Sequence, residues 1–238
     1  MKRFDIISIF PNSLDSYFNE SILARAQKKK LISIKTHDLR KWARDKHRKV
    51  DDKPYGGGAG MVIKIEPVYR VLHALRALRI KNQESRIKKV RVILLAANGK
   101  QFTQKDAVRL TKYERVIFIC GRYEGVDARV EKFVHEKISI GPYVVTGGEL
   151  PAAMIIDAVA RMIPGVVGKE ESIQNESFSA ISHLPLASSY LEHPHYTRPE
   201  IFEVGRKKLA VPKVLLGGNH KMIQAWRKRK TKHAGISL

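Results

Sequence analysis

The stretch ISIGPYVVTGGELP, Ile138 to Pro151, decides how the rest of the chain is read. β-Branched residues from Ile138 to Ile140 read as a strand, Gly141, Pro142, Gly147 and Gly148 read as a loop, and Pro151 opens an apolar helix. A loop of this kind leaves backbone N–H and C=O groups for a ligand. Its glycines let a flat ring approach the main chain where a Cβ would clash. Upstream, FICGRYEG, Phe118 to Gly125, leaves an apolar strand in the same way and carries Tyr123, Arg122 and Glu124 between Gly121 and Gly125. Two glycine-bearing loops at neighbouring strand ends suit a nucleotide-like ligand in the crevice of an α/β sheet.

Outward from that pair, the chain alternates strand and helix patterns. Phe4–Ile9 reads as a strand and Asp15–Lys28 as one helix with Tyr17, Phe18, Ile22, Leu23 and Ala26 on its buried face. Leu31–Thr36, Met61–Ile65, Val90–Ala96 and Arg115–Cys120 read as further strands. Helices are expected from Pro67 through Leu78, from about Gln104, and over Val126–Phe133. Ala97-Asn98-Gly99-Lys100 is a third candidate loop at a strand end. Such βαβα alternation predicts a mostly parallel sheet covered on both faces. The segment Asp38 to Gly60 fits neither period; its basic residues and its PYGGGAG run predict a substrate- or RNA-facing loop. No GK[ST] follows those glycines, so they are not a phosphate-binding P-loop.

Leu150 to Ile163 is apolar almost all round, which predicts a buried helix with a second subunit as one source of cover. Asp157 and Arg161, four apart, could pair with each other. After Ile163-Pro164-Gly165 the composition turns polar, and the chain divides into 1–167, a linker 168–182 containing GKEESIQNESF, and a basic remainder 183–238. The last helix starts at Asn219 as N-cap, with Met222, Ile223, Ala225 and Trp226 on one side and Lys or Arg on the other. His193-Pro194-His195 lacks a third ligand at suitable spacing for a metal site.

Composition bounds the partners. The 238 residues carry 45 Lys plus Arg against 23 Asp plus Glu, a formal charge of +22. Counterion release makes nucleic acid the default partner of such a surface. No long apolar span or signal sequence is present, so no membrane is expected and the protein should stay in the cytoplasm. A single cysteine, Cys120, excludes an intramolecular disulfide and a Cys-rich zinc site; it reads as a small packed hydrophobe.

IISIFP, HRKVDDKPYGGGAGM, FICGRYEGVDARV, SIGPYVVTGGELPA, ARMIPGVVG, HPHYTRP and LLGGNH occur in that order. Across nearly its whole length the chain thereby resembles the bacterial tRNA (guanine-N1)-methyltransferases, the TrmD family of the SPOUT superfamily. The resemblance implies an α/β fold with a deep trefoil knot, a small helical C-terminal domain that binds tRNA, and a homodimer with its active site at the subunit interface. It implies methyl transfer from S-adenosylmethionine to N1 of the guanosine immediately 3′ to the anticodon. It further implies cofactor binding by Gly121, Tyr123, Ile140, Gly141, Pro142, Tyr143, Val144, Val145, Gly147, Gly148 and Pro151. Glu124, Arg161 and Glu176 would serve the guanine, Glu176 as the acid of the linker, with Glu170 and Glu171 its nearby rivals. A magnesium dependence is implied as well, with no residue here assigned as a metal ligand. The chain departs from the family in Ala96-Ala97 for Ser-Pro, in Pro142 for Asp, and in Glu176 for Asp. Two other readings remain open at this point: a related enzyme acting on another RNA position or a ribose 2′-hydroxyl, and an RNA-binding protein without catalysis.

Overall fold

In the computed structural model, residues 1–78, 89–168, 176–178 and 188–235 are described. The charged run KNQESRIKK at 81–89, whose composition reads as a surface loop, lies outside them except for Lys89, and of the expected linker only Gly168 and Glu176–Phe178 fall within them. By compactness the chain divides into Met1–Gly168 and Lys169–Leu238.

The first unit is built on a five-stranded sheet of order β2-β1-β6-β5-β7, formed by β1 (Lys2–Ser8), β2 (Ile32–Asp38), β5 (Val90–Gln101), β6 (Arg115–Cys120) and β7 (Glu136–Ser139). Every pairing in it is parallel, as the alternation of patterns predicts. A parallel sheet must be covered on both faces, and the strands accordingly read as near-continuous apolar runs. Phe4, Ile6, Ile93, Leu95, Val116 and Phe118 pack on one side, against α2 (Ser21–Lys28), α4 (Gln104–Thr111) and α5 (Glu149–Arg161). Ile7, Val92, Leu94, Ile117 and Ile119 pack on the other, against Val68, Val71 and Leu72 of α3 (Ile65–Ala74) and against Leu39 and Val130. The alternation of neighbours such as Ile6 and Ile7 follows from the two-residue period of a strand.

Several boundaries differ from the sequence reading. The helix expected over Asp15–Lys28 is broken into α1 (Asp15–Phe18) and α2, because Ser21 takes φ +50° at the junction. A 3-10 turn, Ala128–Phe133, stands where Val126–Phe133 was expected to be α-helical. α3 begins two residues before Pro67, which occupies its first turn, and stops at Ala74. Ala97–Lys100 is no strand-end loop: β5 runs on to Gln101, and its pairing with β7 slips between Leu95 and Lys100, both of which face Ile138. The slip brings Gly99 against the neighbouring strand so closely that a Cβ would lie 2.6 Å from the Ile138 nitrogen. The polar segment after β2 holds a 3-10 turn, Leu39–Trp42, and β3 (Asp51–Asp52), which pairs antiparallel with β4 (Val62–Ile63).

Described by itself, the second unit contains a hairpin of β9 (Ile201–Val204) and β10 (Lys207–Ala210), an antiparallel pair of β8 (Ser188–Leu191) with β11 (Lys232–Gly235), and the helices α6 (Lys213–Leu216) and α7 (His220–Lys230). Strands thus accompany the expected helices. Asn219 caps α7 as expected, its side chain accepting from the Met222 amide at 3.2 Å. The apolar side of α7 is narrower than the pattern suggests. Trp226 is buried against His193 and Tyr196, while Met222 and Ala225 face solvent.

Candidate active site

Three segments meet at the carboxyl edge of the sheet. β6 ends at Cys120, β7 ends at Ser139, and the chain from each continues into one of the two glycine-bearing loops. The loops are tied backbone to backbone: the Gly148 amide donates to the Gly121 carbonyl at 2.9 Å, and Arg122 and Gly147 form an isolated antiparallel bridge. Gly148 is required by this crossing, since a Cβ there would lie 2.6 Å from Cys120 Cα and 3.1 Å from the Gly121 nitrogen. The third segment is the end of PYGGGAGM. Its Met61 carbonyl accepts from the Glu124 amide at 3.0 Å, the Ile63 amide donates to the Gly125 carbonyl, and the Asp127 amide donates to the Ile63 carbonyl. Gly60 rests on the Glu124 side chain, where a Cβ would meet Oε1 at 2.6 Å. The end of the glycine-rich run, Gly60-Met61, is therefore a wall of the GRYEG loop.

A charged cluster that the sequence reading did not single out holds the crossing in place. Glu149, 3% exposed, accepts from the Ser8 hydroxyl at 2.5 Å through one oxygen and from Arg122 Nε at 2.9 Å through the other. Arg122 also donates to the Thr146 carbonyl and lies over the Phe10 ring, 4.8 Å from its centroid. Ends of β1, β6 and the β7 loop are thus joined through one buried carboxylate. Burial, with Glu149 nearby, pushes the Cys120 thiol well above its ordinary range, which suits a packed side chain and not a nucleophile.

Of the residues singled out from sequence, the structure brings Gly121, Tyr123, Glu124, Gly147 and Gly148 together in this corner, and Ile140–Val145 form the loop that leads into it. Ser139 shapes the start of that loop by donating to the Gly141 carbonyl and accepting from its amide. The Tyr143 ring covers Gly141, and the loop beyond is open, Val144 being 87% exposed. Among the described residues the amides of Tyr143, Val144 and Val145 meet no acceptor. Tyr123 is held at φ +58°, a conformation a bulky side chain seldom takes.

Pro151 is buried in the first turn of α5 and does not open it: the helix begins at Glu149 with Gly148 as N-cap. Nor is α5 buried all round, because Leu150 and Met154 are 62% and 53% exposed. Arg161 stands at the opposite end of the 13-residue helix, ~18 Å along its axis from Glu149. Asp157, considered as its partner, lies near Tyr17: burial first, and then the Asp157 carboxylate, raise the pKa of that hydroxyl. Glu176 belongs to the second unit; beside it Ser177 accepts from the Glu192 amide at 3.2 Å. Glu170 and Glu171 lie outside the described residues.

The sequence matches one family model, described as tRNA (Guanine-1)-methyltransferase TrmD, over residues 1–236. It is 48% identical over 229 residues to the tRNA (guanine-N(1)-)-methyltransferase of Dictyoglomus turgidum, covering 96% of this chain and 84% of that protein. It is 46% identical over 230 residues to the protein of the same name from Carboxydothermus hydrogenoformans, covering 96% and 82%. The Shouchella clausii protein of that name is 45% identical over 225 residues, covering 94% and 84%.

Proposed function

Because the chain belongs to the tRNA (guanine-1)-methyltransferase TrmD family, we propose that it methylates N1 of guanine in tRNA, at the nucleotide immediately 3′ to the anticodon. The observation that carries the reading beyond the family is the locked crossing of the two loops, with Gly148 pressed on Cys120 and, beside it, three exposed-loop amides that meet no acceptor among the described residues. Unpaired amides next to glycines are the donor set that a purine edge needs, and the residues therefore fit S-adenosylmethionine. Bound there, that molecule supplies a methyl group already activated on a sulfonium, so the chain has only to bind, orient and remove a proton.

In this reading Gly121, Ile140 and the run Gly141 to Val145 hold the adenosine through backbone groups, with Tyr123, Gly147, Gly148 and Pro151 shaping the pocket. Glu124, braced by Gly60 and Met61, meets the guanine. Guanine N1 is protonated at neutral pH, so a carboxylate must accept its proton as the methyl arrives; Glu176 takes that part. Negative charge then gathers on O6, where Arg161 stabilises it. Glu124 lies in the loop tied to the start of α5 and Arg161 stands at its far end, which supports a site shared between two copies, with Arg161 coming from the second. The exposed pair Leu150 and Met154, one helical turn apart, supports a homodimer built along this helix. The slip in β5 and the close passage of Gly99 over Ile138 support the family's trefoil knot in the same region. The exposed basic end of α7 supports tRNA binding by the second unit. We assign magnesium, where the reaction needs it, to no residue of this chain, and place the enzyme with its tRNA in the cytoplasm; no helix among the described residues is long and apolar enough to cross a membrane. Incubation of the purified protein with S-adenosylmethionine and a tRNA transcript, followed by mass spectrometry of the nucleosides, should give 1-methylguanosine at that one position. A methylated ribose or another base would replace this reading with that of a related methyltransferase, and no methylation with that of an RNA-binding protein.

A further inference from the structure

On the sheet face opposite α5 an open groove of about 370 Å³ runs between the 3-10 turn Leu39–Trp42 and α3, lined by Trp42, Arg44, Tyr69, Arg70, His73 and Ala74. We propose that this groove is a second RNA subsite, which takes an unpaired base of the tRNA between its aromatic walls while Arg44 meets the adjoining phosphate. The inference rests on tRNA being the substrate and adds a binding locus apart from the guanine site.

Four features of the groove point to a nucleotide. Its walls combine two aromatic side chains and a histidine with two arginines, the pairing by which single-stranded nucleic acid is held without base-specific readout. The rings are set in place beforehand: Tyr69 stacks on His73 at 6.1 Å and tilts against Phe133 at 5.5 Å. Arg70 fixes the far wall by donating to the Trp42 carbonyl at 2.8 Å. The volume is near the lower end for small-molecule pockets, so it suits one base and not a folded segment.

Charge and position agree. From Arg40 to Lys49 the chain carries Arg40, Lys41, Arg44, Lys46, Arg48 and Lys49 against Asp45 alone, and Arg44 through Lys49 are exposed. Such a run beside an aromatic groove complements a phosphate backbone. Both walls also start from the edge that bears the glycine loops. The 3-10 turn follows the carboxyl end of β2, and α3 follows β4, whose Ile63 is bonded to Gly125 and Asp127. β2 and β6 are separated only by β1, so the distance across is on the order of 10 Å. An RNA strand leaving the guanine site covers that span in a few nucleotides.

The test compares the wild-type enzyme with Arg44→Ala, Tyr69→Phe and Tyr69→Leu, using a full-length tRNA transcript. Affinity is measured over a series of salt concentrations, alongside methylation kinetics, calorimetry with S-adenosylmethionine, and sedimentation. Arg44→Ala should weaken tRNA binding and flatten its salt slope by about one unit. Tyr69→Leu should weaken binding roughly tenfold with the slope unchanged, because stacking releases no counterions, and Tyr69→Phe should bind as the wild type does. KM for tRNA should follow these losses, while S-adenosylmethionine affinity and the rate at saturating tRNA stay put. Arg44 is exposed, so its variant supports or overturns the proposal even if loss of the Tyr69 packing on Phe133 impairs folding. Affinities all within twofold of wild type overturn the subsite, and so does a change in sedimentation in place of a change in tRNA affinity, since the groove would then hold another copy of the chain. A wild-type enzyme that binds tRNA through the groove yet methylates nothing would leave the subsite standing and remove the methyltransferase reading instead.

Discussion

A methyl group on Gly148 would collide with Cys120 Cα and the Gly121 nitrogen, both main-chain atoms with nowhere to go. Gly148→Ala should therefore cost about 1–3 kcal/mol in urea denaturation, as overpacking does, and also weaken S-adenosylmethionine binding measured by calorimetry. The neighbouring Glu149 tests the opposite defect. Its removal leaves Arg122 and the Ser8 hydroxyl facing a void, and Glu149→Ala should destabilise by about 3 kcal/mol, the scale of a broken buried pair. A variant as stable as the wild type would show that Arg122 and Ser8 find other partners. Asp5 sets a pH dependence. Burial raises its pKa, but hydrogen bonds from His37 at 2.5 Å and Arg115 at 2.6 Å, with the charges of Arg115 and Arg3, outweigh burial and hold the carboxyl below its usual range. A carboxyl depressed in the folded state adds stability above its unfolded pKa, near 4, and loses it as pH falls through the lower folded value. Asp106 and Glu136 are depressed in the same direction by their Arg and Lys partners, against burial. Urea midpoints should thus hold from neutrality down to about pH 4 and fall below it, and Asp5→Asn should flatten part of that fall.

α5 is the element on which the shared-site reading turns. Leu150→Glu with Met154→Glu places charge on its exposed apolar stripe and should yield a folded monomer by sedimentation, with methylation lost. If each guanine is served by Glu124 of one copy and Arg161 of another, mixing Glu124→Gln with Arg161→Ala protein should restore up to about half of wild-type sites per mixed dimer. Mixtures as inactive as either parent would place both residues in one subunit's site. What the sequence made legible at this scale is governed by distance along the chain. Arg115–Cys120 and the cap at Asn219 are local patterns, written in consecutive residues, and they stand where the patterns put them. The glycine loops were legible as loops, yet what locks them was not. Arg122 meets Glu149 across 27 residues and Ser8 meets it across 141, and no period or spacing reports such a pairing. Leu150 and Met154 left the source of their cover open for a related reason: apolarity marks a surface that wants cover without saying which chain provides it. Ala97–Lys100 looked like a turn because Asn-Gly usually is one, whereas here the glycine serves the close passage over Ile138.

Across the whole molecule the excess of 22 positive charges should make tRNA affinity fall steeply with salt. Replacing Arg227, Lys228 and Arg229, all exposed at the end of α7, with Ala should flatten the slope by roughly one unit for each phosphate no longer neutralised and leave S-adenosylmethionine affinity unchanged. An unaltered slope would turn that end of the helix away from RNA. The order of strands in the sheet has a further outcome during synthesis. β1 leaves the ribosome before the other strands of its sheet, and one of its two neighbours, β2, follows at once, but the other is β6, whose Arg115 comes 110 residues after Asp5. At translation rates of roughly 5–20 residues per second, β1 waits on the order of ten seconds with one apolar edge bare. A bare edge is a template for pairing with another nascent chain. Crowded polysomes should therefore be where this protein is lost, and slower initiation, which spaces the ribosomes, should raise the soluble yield more than any change to the finished fold.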